Sequence, residues 1–271
     1  MPRFAANLSM MFTERPLLER FGAAAEAGFE AVEYLFPYDH PTEAVAAALR
    51  AAGLRQVLFN LPPGDWAKGE RGLAALPERA EEFRRSVATA LDYARALDAP
   101  LLHVMAGLAP VGDPAAAAAY LDALRFAADA AGAAGRTLLI EPINRRDMPG
   151  YFLDDFDRAA EIIDRLEHPN LRLQFDIYHR QILHGDVLTG LETLMPVIGH
   201  VQVASVPKRQ EPGTGELDDF RIFAALDALG YDGWVGCEYR PAGATLDGLG
   251  WLERARAPRA DHAVHNRRAA F

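Results

Sequence analysis

The run Leu138-Leu139-Ile140-Glu141-Pro142-Ile143-Asn144 ends an apolar, strand-type segment in a carboxylate, and Pro142 then blocks simple continuation. A charge at the rim of a core is costly unless it is paired or metal-bound. Taken alone, Glu141 could be an ordinary strand-to-loop exit. The same pattern recurs downstream, however. Leu171-Arg172-Leu173-Gln174-Phe175-Asp176 ends in an acid, His200-Val201-Gln202-Val203 carries an amide, and Trp234-Val235-Gly236-Cys237-Glu238 ends in another acid. Successive strand-like runs thus deliver Glu141, Asp176, Gln202 and Glu238, one oxygen donor each, to the same kind of position. Three crowded carboxylates repel one another and would take up protons unless a cation sits between them. An all-oxygen set suits a hard divalent ion, Mg²⁺ or Mn²⁺. No Cys cluster or set of converging His suggests a zinc site. Helix capping, or pairing with Arg145, Arg146 and Arg172, accounts for one or two of these acids but not for a register shared by all.

The elements that must carry these residues alternate. Strands are expected over 4–8, 31–35 (with Glu33 inside), 55–59, 101–105, 137–140, 171–175, 198–203 and 234–237. Helices are expected over 14–27, 42–53, 78–97, 114–132, 154–166, 187–195 and 218–229. Gly28 suits a helix C-terminus, and Asp113-Pro114 a start, with Asp as cap and Pro in the first turn. Such alternation implies parallel strands joined by crossover helices, and eight repeats suggest an α/β fold closed into a (β/α)₈ TIM barrel. No GxGxxG turn follows the first strand, so an open sheet binding a dinucleotide has no support. Leu61 to Pro77 is a long polar loop of the kind that forms lids or binding loops. The expected organisation is one barrel domain over residues 1–253 and a mobile or weakly docked tail over 254–271. His262 and His265 fall in that tail, which lacks apolar periodicity.

The bulk properties agree. The chain has 271 residues, 50% hydrophobic and 24% charged, with a formal net charge of −10. That length matches a single barrel of about 250 residues. An acidic body without a dense basic patch argues against nucleic acid as a partner. A single cysteine, Cys237, excludes an intrachain disulfide framework and fits a reducing cytosol. The N-terminus has no signal-type apolar region, and no run of about 18 apolar residues occurs. A cytoplasmic protein without membrane association is expected, and homo-oligomerisation is left open.

Several strings resemble the hydroxypyruvate isomerase family, which belongs to the xylose-isomerase-like barrels and includes the 2-oxo-tetronate isomerases. They are Glu141-Pro142-Ile143-Asn144 with Arg146-Asp147-Met148-Pro149-Gly150, Gln174-Phe175-Asp176-Ile177-Tyr178-His179, and Gly236-Cys237-Glu238-Tyr239. Ala6-Asn7-Leu8-Ser9-Met10-Met11-Phe12, Leu35-Phe36-Pro37-Tyr38, Asn60-Leu61-Pro62-Pro63-Gly64-Asp65-Trp66 and Glu211-Pro212-Gly213-Thr214-Gly215-Glu216 resemble it as well. The likeness spans roughly residues 4–252.

The resemblance implies that Glu141, Asp176, Gln202 and Glu238 hold a divalent metal and that Glu141 and Glu238 also transfer protons. His179 resembles the substrate-binding His of related sugar isomerases and epimerases, or else orients Asp176 as a neighbour of the metal. Asp147, Lys208 and Arg209 fall where related barrels contact substrate. The implied reaction moves a proton between adjacent carbons of a small hydroxy-keto acid through an enediol(ate). Candidate substrates are hydroxypyruvate, giving 2-hydroxy-3-oxopropanoate (tartronate semialdehyde), and a 2-oxo-tetronate, in carbohydrate metabolism. A substrate carboxylate needs a cation, and Arg71, Arg146, Lys208 and Arg209 lie in expected rim loops. A metal-assisted hydride shift usually calls for a second metal, for which no ligand set is evident. A sugar 3-epimerase or inosose-type dehydratase is the alternative on the same barrel, and a non-catalytic sugar-binding barrel is the alternative from another class. A repair nuclease of the related endonuclease barrel would need a His-rich multi-zinc site and a basic face, and neither is present.

Overall fold

A computed structural model describes residues 2–257. Eight parallel strands close into a barrel in sequence order: β1 (Arg3–Asn7), β2 (Ala31–Tyr34), β3 (Arg55–Asn60), β4 (Leu101–His103), β5 (Thr137–Ile140), β6 (Leu171–Asp176), β7 (Ile198–Gln202) and β8 (Trp234–Cys237). The helices are α1 (Leu17–Glu26), α2 (Thr42–Ala51), α3 (Ala80–Leu97), α4 (Pro114–Ala133), α5 (Phe156–Leu166), α6 (Ile177–Leu183), α7 (Val187–Leu194), α8 (Asp219–Ala228) and α9 (Gly250–Arg256). The (β/α)₈ TIM barrel expected from the alternation is the fold observed.

Local chemistry explains the element ends. The Asp113 carboxylate accepts from the Ala115 N–H at 2.9 Å to start α4, with Pro114 in its first turn. Asp155 likewise caps α5 through the Arg158 N–H at 2.8 Å. The buried residues of α5, Phe156, Ala159, Ile162 and Ile163, fall on one helical face, which packs against the sheet. The main apolar core lies in this layer between strands and helices.

The barrel interior is different. A small separate cluster made of strand residues, Ala5, Ala31, Val57, Leu58 and Leu139, fills its floor. Further along the strands the buried residues become polar: Asn7, Glu33, Gln174, His200 and Gln202. Register pairs Asn7 with Glu33, Gln174 with His200, and Asp176 with Gln202. Gly236 of β8 makes room for this layer, since a Cβ there would collide with the Glu33 carboxylate.

Three features differ from expectation. Helix α6 starts directly from β6, with Asp176 serving both as the last strand residue and as the helix N-cap. The long loop after β3 contains two short 3-10 turns, Trp66–Lys68 and Pro77–Arg79. It is also pinned to the barrel where Gly72 bridges Ala106. Finally, the boundary expected after residue 253 falls inside α9, whose Trp251, Leu252 and Ala255 are buried. Arg254 stacks over Phe220 at 3.8 Å, so apolar burial carries the chain past that boundary. His262 and His265 lie outside the described residues. No described helix is long and apolar enough to cross a membrane.

Candidate active site

The C-terminal strand ends surround a cavity of about 320 Å³, lined among others by Glu141, Glu238, His103, His179, Asp147, Arg209, Trp66, Arg71 and Arg240. Barrel enzymes place chemistry at this end because every strand delivers its terminal side chain there. A larger cavity of about 690 Å³ lies at the opposite end, lined by Arg50, Arg55, Gln56, Arg136 and Trp234. It gathers no group of acids or imidazoles, and its Arg136 is paired with Asp98 at 2.9 Å. Converging chemistry, not volume, identifies the site.

Glu141 and Glu238 stand one residue beyond β5 and β8, and Asp176 closes β6. Ligand atoms of Glu141, Asp176, Glu238 and His179 all lie within 4.8 Å of one another, and all four residues are buried. Burial, reinforced by Glu238 and Asp176, pushes the Glu141 carboxyl well above its ordinary range. Burial raises Asp176 and Glu238 too, and Arg209 counters it in both. Arg209 donates to Glu238 Oε2 at 2.6 Å and lies 3.6 Å from Asp176 Oδ2 and 3.4 Å from Asp147. One guanidinium faces three acids, so with all three ionised the group would carry excess negative charge.

Two oxygens here, Glu141 Oε1 and Asp176 Oδ2, are buried and have no hydrogen-bond partner. Leaving a charged oxygen in that condition costs more than the roughly 1–3 kcal/mol typical of a neutral group. A donor set of crowded carboxylates with unsatisfied oxygens fits a hard divalent cation.

His179 has a defined tautomer. The Asn144 Oδ1 accepts from the backbone N–H of Arg146 and Asp147 at 3.0 and 2.9 Å, which turns its amide nitrogen toward His179. That nitrogen lies 2.7 Å from His179 Nδ1, and the Asn144 backbone N–H donates to the same atom at 3.3 Å. Nδ1 therefore accepts and the proton sits on Nε2. Nε2 is 3.5 Å from Asp176 Oδ2 and 3.9 Å from Glu141 Oε1. Both sequence readings of His179 use this proton, which can go to Asp176 or to an oxygen in the cavity.

Gln202 occupies the layer below. Its Oε1 accepts from Gln174 at 2.7 Å and its amide donates to Glu33 Oε1 at 2.8 Å. The oxygen keeps a second lone pair, so the carbonyl retains acceptor capacity. Asp147 and Arg209 line the cavity, whereas Lys208 is exposed and is not among the lining residues. Arg209 reaches inward from a backbone with φ +55°, its guanidinium 4.9 Å over the Tyr178 ring.

Sequence reasoning missed His103, which ends β4 with its Nε2 3.7 Å from Glu141 Oε2. Burial holds it down to about 3, so it is a neutral imidazole. The signal existed, a polar residue ending the apolar run Leu101-Leu102, but an imidazole does not match the oxygen-donor pattern of the other strand ends. The Glu33 network was missed as well. Glu33 lies 2.7 Å from His200 Nε2 and accepts from Asn7 at 3.0 Å.

Residues 21–255 match the family described as the xylose isomerase-like TIM barrel. The 2-oxo-tetronate isomerase of Cupriavidus necator is 55% identical over 255 residues, covering 93% of this chain and 98% of that protein. The hydroxypyruvate isomerase of Escherichia coli is 44% identical, covering 93% and 99%. A crystal structure from Brucella melitensis titled as an AP endonuclease, family 2, superposes with a TM-score of 0.92 at 50% identity, covering 95% of this chain and all of that one.

Proposed function

Because the chain belongs to the xylose isomerase-like TIM barrel family, we propose that it is a metal-assisted isomerase of a small hydroxy-keto acid. Hydroxypyruvate and a 2-oxo-tetronate are the substrates of choice. The observation that carries this reading is the gathering of Glu141, Asp176 and Glu238, buried and within 4.8 Å, beside a cavity of about 320 Å³. The substrate class is supported by relatives named for those two activities.

Glu141, Asp176 and Glu238, with Gln202 from the layer beneath, would hold Mg²⁺ or Mn²⁺. A bound divalent cation supplies Lewis-acid stabilisation of charge developing on the carbonyl and hydroxyl oxygens. The remaining work falls to side chains of this chain. For hydroxypyruvate, one of the two Glu removes a proton from the hydroxyl-bearing carbon. The electron pair forms the enediol double bond, and the other Glu returns a proton to the former carbonyl carbon. The hydroxyl proton leaves as the old carbonyl oxygen gains one, and His179 Nε2–H faces the space where that exchange would take place. Arg209 pulls Glu238 toward its ionised form, and the neutral His103 keeps Glu141 from acquiring a second cationic neighbour.

Turnover of hydroxypyruvate and of 2-oxo-tetronates with Mg²⁺ or Mn²⁺, in wild type and in Glu141→Gln and Glu238→Gln, tests the proposal. Near-normal turnover by either variant would falsify the acid–base roles. Epimerisation or dehydration of a neutral sugar as the main activity would move the protein to the alternative enzyme class. Tight sugar binding without turnover under any divalent metal would make it a binding barrel. Cleavage of abasic DNA would place it with the nucleases, against its acidic body.

A further inference from the structure

The isomerase reading requires the protein to hold a carboxylate in a mouth already crowded with acids. A substrate carboxylate turned toward Glu141, Asp176 and Glu238 would meet like charge, so it must point elsewhere in the cavity. Of the four rim cations expected from sequence, Arg209 is engaged with Glu238, Asp176 and Asp147. Arg146 and Lys208 are exposed and do not line the cavity. Arg71 does line it and, among the described residues, has no carboxylate partner. Arg240 is a second cation on the wall with no carboxylate partner among the described residues.

Arg71 is also held in place. Its Nη1 donates to the backbone carbonyls of Trp66 and Glu70 at 3.1 and 2.7 Å. Its guanidinium lies 3.9 Å over the Trp66 ring, and Trp66 packs on Phe36 at 5.1 Å. The adjoining Glu70 is tied to Arg79 at 2.9 Å, and Gly72 approaches the Met105 backbone so closely that any Cβ would collide with it. These contacts leave Nε and Nη2, one complete fork edge of the guanidinium, without a partner among the described residues. Such an edge matches a carboxylate bidentately. The loop follows β3, three strands around the closed ring from Asp176 and His179 on β6 and α6.

Resting on the isomerase reading, we infer that Arg71, stacked on Trp66, binds the substrate carboxylate on the side of the cavity away from Asp176. It is a specificity-determining residue, selecting 2-oxo acids over neutral hydroxy ketones of the same size. It orients the substrate so that its carbonyl and hydroxyl face Glu141 and Glu238. Arg240, just beyond β8, contributes a second, more exposed positive charge to the same cavity.

Pyruvate, which has the carboxylate and carbonyl but no hydroxyl to isomerise, separates binding from turnover. Its affinity for the metal-loaded protein, titrated by ligand-observed NMR, should fall about 10- to 100-fold in Arg71→Gln, the loss expected for a charge-assisted fork. Arg71→Lys should recover part of it, Arg146→Gln should leave it unchanged, and hydroxyacetone, the neutral analogue, should bind all four proteins alike. With hydroxypyruvate, Arg71→Gln should raise KM by a similar factor and leave kcat within about threefold. Absence of pyruvate binding to the wild type, or equal binding to Arg71→Gln, overturns the inference. Arg71-dependent pyruvate binding in a protein that isomerises no 2-oxo acid would instead overturn the isomerase reading alone.

Discussion

Two buried carboxylates in one barrel have opposite surroundings. Glu33, in the middle of β2, has both oxygens engaged, by Asn7 and Gln202 on one side and His200 on the other. Glu141, beyond the end of β5, has an oxygen with no partner and two imidazoles just outside hydrogen-bond reach. The Glu33 carboxylate is fully engaged, and the layer it ties together can act as a rigid base for the residues above it. The layer around Glu141 keeps two buried carboxylate oxygens, Glu141 Oε1 and Asp176 Oδ2, without a hydrogen-bond partner. The difference teaches that burial of a charge does not mark a reactive site; burial with open coordination does.

The sharpest way to break that contrast is to make each carboxylate an amide. Glu141→Gln should lower kcat on hydroxypyruvate by about 10²–10⁴, the range for a lost acid–base group, in steady-state assays at saturating Mn²⁺. Glu33→Gln should act on stability first. It places an amide N–H against the donors from Gln202, Asn7 or His200, and losing one partner of a buried pair costs about 3 kcal/mol or more. Urea titration should show that loss. A Glu33→Gln protein as stable as wild type would refute a structural role for the lower layer.

How much of this contrast is legible in the sequence depends on how local each pattern is. Strands β5 and β8 are readable with their observed limits, and Glu141 and Glu238 follow, because an apolar run closed by an acid is a local signal. Asp176 is readable for the same reason. Helix α6 is not, since Asp176 ends a strand and caps the helix with no loop between them, and its turns are too few for a clear period. The Glu33 layer is invisible because its partners come from β1 and β7. Only the register of a closed barrel brings residues 7, 33 and 200 together. The role of Arg71 requires seeing which of several cations already have partners.

With metal removed by chelation, the two substitutions should part in sign. At neutral pH the metal-free wild type must either keep a proton on Glu141 or bury its charge, since burial and neighbouring acids raise that carboxyl. Glu141→Gln carries no such penalty. It should be more stable than wild type by about 1–3 kcal/mol in EDTA, given about 1.36 kcal/mol for each tenfold change in proton affinity, and less able to gain stability when Mn²⁺ is restored. Glu33→Gln should remain destabilised in both conditions. Thermal melts of the three proteins with EDTA and with Mn²⁺ separate these outcomes, and a destabilised Glu141→Gln in EDTA would mean that Glu141 has partners of its own.

The smallest effect concerns pH. Glu238 is raised from 4.5 to about 8, so the metal-free folded protein holds a proton there that the unfolded chain has released. Stability from such a group is present below 4.5 and is lost as pH rises toward 8, by up to about 1.4 kcal/mol per pH unit for each proton retained. His103, lowered from 6.5 to about 3, has the opposite sign: it is neutral when folded, so stability is lost as pH falls below 6.5. Between 4.5 and 6.5 the slopes of Glu238 and His103 oppose each other; with Glu141 raised as well, the metal-free protein should lose stability as pH rises above 6.5, and the His103 slope should show as a loss at acid pH. A bound cation would keep the carboxylates ionised in the folded state, so saturating Mn²⁺ should flatten the alkaline side and steepen the acidic side, where the unfolded chain takes up protons that the folded carboxylates do not. Because both oxygens of Glu33 are already engaged by Asn7, Gln202 and His200, an alkaline slope that survives in Mn²⁺ would have to arise outside the cluster of Glu141, Asp176 and Glu238.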